Sequence, residues 1–129
     1  MKVSAAVAEI LKREGVEFII GYPVNNILEA AAAADIRPII VRQERTGLHM
    51  ADAMSRVTSG RKLGVFVMQH GPGTENAYGG VAQAWSESVP LVVIPGGYSR
   101  EQLGVAPTFS AFLNYQHVTK SCEIGRAHV

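Results

Sequence analysis

The chain has 129 residues, 47% of them apolar and 18% charged, with a net charge of +1. That describes one folded domain with a real core, and it excludes a disordered chain and a strongly charged surface built for nucleic acid or an anionic membrane. Cys122 is the single cysteine, so no internal disulfide can form, and no apolar run reaches membrane-span length. Glu9, Lys12, Arg13 and Glu14 interrupt the N-terminal apolar residues at helical spacing, against a signal peptide. A reducing cytoplasm is the expected setting.

Taken in order, the chain alternates helix and strand. Ser4 is placed to cap a first helix that runs to Glu14, with Gly15 as its left-handed end and Val7, Ile10 and Leu11 facing inward. Glu17–Gly21 reads as a short buried strand. Tyr22-Pro23-Val24-Asn25 is a turn, and Asn25 or Asn26 caps an alanine-rich helix over about Ile27–Ala34. A second strand, Ile39–Val41, ends in Arg42-Gln43-Glu44. The third helix is expected from about Thr46 to Thr58, with Leu48, Ala51, Met54 and Val57 inward and Ser59-Gly60-Arg61-Lys62 closing it. Strand Leu63–Gln69 runs into His70-Gly71-Pro72-Gly73, and Thr74 opens a helix to about Ser88. Gly79-Gly80 weakens that helix unless something packs tightly against it. Leu91–Pro95 is a fourth strand, ended by Gly96-Gly97. Tyr98–Pro107 reads as a loop, Phe109–His117 as a short helix or turn, and Val118–Ile124 as an extended exit. Residues 125–129 form an unpatterned tail, which argues for a chain cut short or ended artificially.

This alternation predicts an α/β fold: three layers, α/β/α, around a mostly parallel sheet. Strands joined by one helix lie parallel with a right-handed crossover, which brings Glu44 and His70-Gly71-Pro72-Gly73 to the same sheet edge. Ligands of open α/β sheets bind beyond the carboxyl ends of the strands. An acid and a glycine turn therefore meet where a cofactor would sit.

Four pieces of sequence, in order, carry a resemblance: Gly21-Tyr22-Pro23, Val41-Arg42-Gln43-Glu44, Gly71-Pro72-Gly73-Thr74-Glu75-Asn76, and Ser88-Val89-Pro90-Leu91-Val92-Val93-Ile94. Over residues 1–124 the chain resembles the N-terminal, pyrimidine-binding domain of thiamine diphosphate enzymes, in particular the acetolactate synthase and benzoylformate decarboxylase group. The resemblance implies the thiamine diphosphate-binding fold and handling of 2-oxo acids by decarboxylation or carboligation. It makes Glu44 the glutamate that hydrogen-bonds N1′ of the aminopyrimidine. A carboxyl in a dry pocket is disfavoured as an anion and can share a proton with that nitrogen, which favours the tautomer that deprotonates C2 of the thiazolium. Tyr22 and Pro23 would lie near the aminopyrimidine, Gly71 and Gly73 would let backbone approach a neighbouring domain, and Asn76 would lie near the cofactor ring. His70 resembles the decarboxylase branch, where a histidine does acid–base work on substrate, while Gly21-Tyr22-Pro23 resembles the synthase branch. Phe109-Ser110-Ala111 departs from the Phe-Gln-Glu usual in synthases.

The family's Gly-Asp-Gly…Asn motif, which holds Mg²⁺ and the diphosphate, is absent from this chain. The resemblance therefore implies that another domain holds Mg²⁺, that FAD, where relatives carry it, belongs to a central domain, and that a homodimer or a second chain completes the site. Ala51, Ala77, Gly79 and Gly80 are expected to leave room for that partner. Against these roles stand plainer ones. Glu44 taken alone is a helix-start acid favoured by the dipole, and His70 a loop histidine. Arg42, Arg45 and Arg56 read as surface or interface charges, Cys122 as inert, and Met50, Met54 and Met68 as core. His49, His117 and His128 show no ligand spacing with Cys or acids, so a metal site in this chain is not expected. A non-catalytic interaction or regulatory subunit keeping the fold is the alternative. A generic nucleotide-binding domain is disfavoured because no third glycine follows Gly71 and Gly73.

Overall fold

A computed structural model describes residues 1–23 and 26–123. Helices and strands alternate as α1 (Val3–Arg13), β1 (Phe18–Gly21), α2 (Ile27–Ala33), β2 (Arg37–Ile40), α3 (Glu44–Val57), β3 (Gly64–Met68), α4 (Pro72–Ser86), β4 (Leu91–Pro95) and α5 (Ala111–Tyr115). The strands form one parallel sheet in the order β2-β1-β3-β4. Side chains of successive strand residues point to opposite faces. Ile19, Val65 and Val67 accordingly pack with Leu11, Leu28 and Ala31 of α1 and α2, and Ile20, Phe66 and Met68 pack with Leu48, Ala51, Ala77 and Val81 of α3 and α4. The result is the three-layer α/β/α arrangement, and every residue of β3 is buried between its two helical layers.

The chain leaves β1 to one side, through α2 to β2, and returns through α3 to β3 on the other side. The β1–β3 boundary is thus the topological switch point, where an open sheet offers a crevice at its carboxyl edge. Pro38 lies in β2, an edge strand, where its missing N–H breaks no interior ladder. Pairing of β2 starts before Ile39 because Arg37 N–H donates to the Glu17 carbonyl at 3.0 Å.

Several expected details are corrected. Lys2, not Ser4, stands at the N-cap of α1, with no side-chain cap. Ile10 is 59% exposed, because it lies nearly opposite Ala8 on a helix of about 3.6 residues per turn. The same arithmetic overturns Met54 and Val57 as a continued stripe of α3. A strict spacing of three drifts by about 60° each step, so Val57 ends 79% exposed and Met54 half-buried, while Ser55 and Asp52 turn inward. Met50 is also exposed, at 39%, whereas Met68 is fully buried. Glu44, not Thr46, is the first residue of α3, and Pro72, not Thr74, the first of α4. Asn26 is the N-cap of α2 without a side-chain bond, and Asn25 lies outside the described residues, as do Ile124 and the tail.

Gly15 does end α1 in the left-handed region at φ 80°. After α2, α3 and α4 the first left-handed residue is not glycine, since Asp35, Ser59 and Ser88 all have positive φ, and at α3 the expected closing glycine, Gly60, follows at φ 75°. In each case the next N–H reaches back to a carbonyl of the last turn, Ile36 to Ala31, Gly60 to Ser55 and Val89 to Ala84, at 2.8–2.9 Å. Ala51, Ala77 and Gly80 are buried within the α3–α4 contact of this chain, so they serve its own packing rather than a partner's approach. A Cβ at Gly80 would stand 2.4 Å from Leu48 Cδ2, while one at Gly79 would meet open space.

Arg56 lies on the surface and ties α3 to the end of α4. Its guanidinium bonds Asp52 at 3.0 and 3.2 Å and pairs with Glu87. Cys122 is half-buried against the α3–α4 side of the core, its thiol 3.6 Å from the Phe112 carbonyl, and burial pushes that thiol up from its usual range.

Candidate functional site

The carboxyl edge of the sheet collects the ends of three strands. After β1 come Tyr22 and Pro23, after β2 comes Glu44, and after β3 come Gln69, His70, Gly71 and the start of α4. The first turn of α3 can lie directly on β3 because Gly47 has no side chain. A Cβ there would stand 2.4 Å from Phe66 Cε2 and 2.8 Å from Val41 Cγ2. That close approach carries Glu44 inward to 6% exposure, an unusual depth for a glutamate.

The carboxylate is met by α4. Asn76 Nδ2 donates to Glu44 Oε2 at 2.7 Å. Glu44 Oε1 lies 3.2 Å from where a Cβ of Gly73 would be, and that Cβ would also collide with Gln69 Cγ at 2.5 Å. Glu44 thus sits beside the first turns of both α3 and α4, whose unpaired N–H groups favour negative charge. Among the described residues no hydrogen bond joins Tyr22 or Pro23 to Glu44. Tyr22 packs against the α3–α4 side of the core and its N–H donates to the Val67 carbonyl at 3.1 Å, whereas Pro23 is exposed.

Gly71 turns the chain from β3 into α4 at φ 63° and ψ −117°, a conformation that L side chains rarely adopt. Thr74, fully buried, donates from Oγ1 to the Gly71 carbonyl at 2.5 Å, and Tyr115 donates from its hydroxyl to the Thr74 carbonyl at 2.6 Å. The glycine turn is thereby braced from α5. His70 projects from this turn into solvent, and its ring meets Tyr98 rather than Glu44. The structure therefore brings Glu44, Gly73 and Asn76 together in one contact group, sets His70 and Gly71 beside Tyr98, and leaves Tyr22 and Pro23 as a separate corner of the same edge.

The sequence marks Thr74 only as a helix opening and gives Tyr115 and Tyr98 no part in the expected site. The bond between Thr74 and Tyr115 gave no signal, since it joins residues far apart in the chain. An aromatic just past Gly96-Gly97, at the carboxyl end of a strand, did give one. A cleft of about 590 Å³ lies farther along α4, lined in part by Glu75, Tyr78, Asn114 and His117, and it includes neither Glu44 nor His70. Among the described residues, His, Cys, Asp and Glu form no group of three able to hold a metal ion, and no helix is long and apolar enough to cross a membrane.

A family described as the thiamine pyrophosphate enzyme N-terminal TPP binding domain matches residues 1–123. The chain belongs to this family. Among curated proteins it is similar to the acetolactate synthase large subunit of Haemophilus influenzae, 38% identical over 109 residues, or 80% of this chain and 19% of that protein. The acetolactate synthase large subunit of Parasynechococcus marenigrum is 40% identical over 108 residues, 78% of this chain and 17% of its own length. Acetolactate synthase isozyme 3 large subunit of Escherichia coli is 36% identical over 95 residues, 70% of this chain and 16% of its own length. The chain thus spans less than a fifth of the length of these relatives.

Proposed function

We propose that the chain supplies the aminopyrimidine half of a thiamine diphosphate site in an enzyme that decarboxylates or carboligates 2-oxo acids, in the manner of acetolactate synthase. The observation that carries this reading is the Glu44 carboxylate, buried to 6% exposure at the sheet's switch point and held by Asn76 at 2.7 Å. A buried carboxylate is costly unless paired. Here a neutral amide takes one oxygen, and the other faces a glycine instead of a cation. Such a group fits a ligand offering a ring nitrogen, and the family supplies one in N1′ of the cofactor.

Thiamine diphosphate, when bound, supplies the electron sink for the carbanion that decarboxylation of a 2-oxo acid leaves. The residues of this chain do the rest of the work on its side of the site. Glu44 shares a proton with N1′ through the oxygen that Asn76 leaves free, and Asn76 fixes the carboxyl's orientation. Gly71 and Gly73 keep the turn bare for close approach, and Tyr22 and Pro23 flank the aminopyrimidine. His70, on the exposed rim, exchanges a proton with substrate. The Mg²⁺ and diphosphate would be held by another domain, in a homodimer or a partner chain, as would any FAD. A cytoplasmic setting suits the single free thiol of Cys122.

Calorimetric titration with thiamine diphosphate and Mg²⁺ tests the half-site. The chain alone is expected to bind weakly or not at all, and to bind tightly once a chain carrying the diphosphate-binding domain is added. Tight binding by the chain alone, unaffected by Glu44→Gln, would refute the reading.

A further inference from the structure

His70 follows β3 and is itself exposed between half-buried Gln69 and buried Gly71, so burial does not fix its imidazole. Its surroundings come from the segment after β4. Gly96 N–H donates to the Met68 carbonyl at 2.7 Å, which extends the β3–β4 ladder past the end of β4. A Cβ at Gly96 would stand only 3.3 Å from His70 N, so the backbone leaving β4 lies against the backbone that carries the histidine. Tyr98 follows and is half-buried. Its ring centroid is 4.4 Å from that of His70, with the planes tilted by 59°. Its hydroxyl reaches over the turn, 3.3 Å from where a Cβ of Gly71 would be. The tyrosine thus follows two residues after the last β3–β4 ladder bond, and its hydroxyl lies over the space that Gly71 leaves bare. Between those points its ring covers one side of the imidazole. A tilted pair at this separation is an attractive arrangement of two aromatic rings.

We propose that Tyr98 is the positioning residue for His70, its ring holding the imidazole in the rotamer that exchanges a proton with the substrate. This rests on His70 as the acid–base group proposed above. Tyr98 acts through the face and edge of its ring, so Phe should replace it and Leu should not. A misplaced catalytic group costs rate rather than affinity when it acts only in the transition state.

Two measurements test this. In the NMR spectrum of this chain, the imidazole C–H resonances of His70, assigned with His70→Gln, should carry a ring-current shift that Tyr98→Leu abolishes and Tyr98→Phe keeps. Unmoved resonances in Tyr98→Leu would overturn the proposal. In the complete, cofactor-loaded enzyme, Tyr98→Leu should lower kcat roughly tenfold to a hundredfold with little change in KM. Tyr98→Phe should retain the rate, and exchange of the cofactor's C2 proton should stay normal in both, which shows a folded site. In a His70→Gln background Tyr98→Leu should cost nothing further. An undiminished loss in that background, or normal kcat in Tyr98→Leu beside a slowed His70→Gln, would overturn the role of Tyr98 alone. Normal kcat in His70→Gln would instead overturn the acid–base reading on which it rests.

Discussion

Asn76 Nδ2 donates to Glu44 Oε2 across 2.7 Å, and this bond ties α4 to the first residue of α3 at the carboxyl edge of the sheet. The amide is the neutral partner that keeps a buried acid satisfied. Its loss should cost more than an ordinary surface change: Asn76→Ala is expected to destabilise the fold by about 1.5–3 kcal/mol, the range for hydrogen bonds to charged groups. Asn76→Asp should cost more still at neutral pH, because it sets a second carboxylate against the first. Urea unfolding of the three proteins at pH 7 checks the order.

The glycine pair of α4 splits into two opposite cases. Gly80→Ala would drive a Cβ to 2.4 Å from Leu48 Cδ2, and overpacking of this kind costs about 1–3 kcal/mol. Gly79→Ala meets open space and removes backbone entropy from the unfolded chain, so it should stabilise by about 0.5–1 kcal/mol. Denaturant midpoints for the two single variants should move in opposite directions.

Tyr115 gives the fold an alkaline limit. Burial, with smaller contributions from the nearby Tyr78 and Cys122, raises its phenol well above the usual tyrosine range. The folded state therefore favours the neutral phenol, which donates to the Thr74 carbonyl. That stabilisation is complete below the unfolded value of about 10 and is lost as pH rises above it. Unfolding free energy should fall above about pH 10 with a slope of up to ~1.4 kcal/mol per pH unit from this group. Tyr115→Phe should cost about 1 kcal/mol at neutral pH and flatten the alkaline slope. An unchanged slope in the variant would place the alkaline limit elsewhere.

The architecture was legible because periodicity and turn residues report on local geometry. The apolar runs at Glu17–Gly21, Leu63–Gln69 and Leu91–Pro95 each enclose a strand, and the parallel crossovers put Glu44 and the His70–Gly73 turn on one edge. The phase of α3 was not legible, because spacing by three imitates helical periodicity for two steps and then leaves the buried face at Val57. Buried Asp52 and Ser55 were missed for the same reason. Ser55 Oγ accepts from Gly64 N–H at 2.7 Å, a contact between the end of a helix and the start of a strand that no local pattern encodes. The depth of Glu44 depends on Gly47 lying against Phe66, and the Tyr98–His70 pair depends on how two loops leave adjacent strands. Both are consequences of tertiary packing.

The measurement that bears most directly on the half-site is exchange of the C2 proton of thiamine diphosphate, followed by NMR in the complete enzyme with Glu44 and with Glu44→Gln. Gln keeps the shape and loses the proton-sharing carboxyl. If Glu44 serves N1′ as proposed, the substitution slows exchange by roughly a hundredfold or more, in the range of a lost acid–base group. Exchange at the unaltered rate with cofactor bound would contradict the account and leave Glu44 as a buried acid of the fold alone.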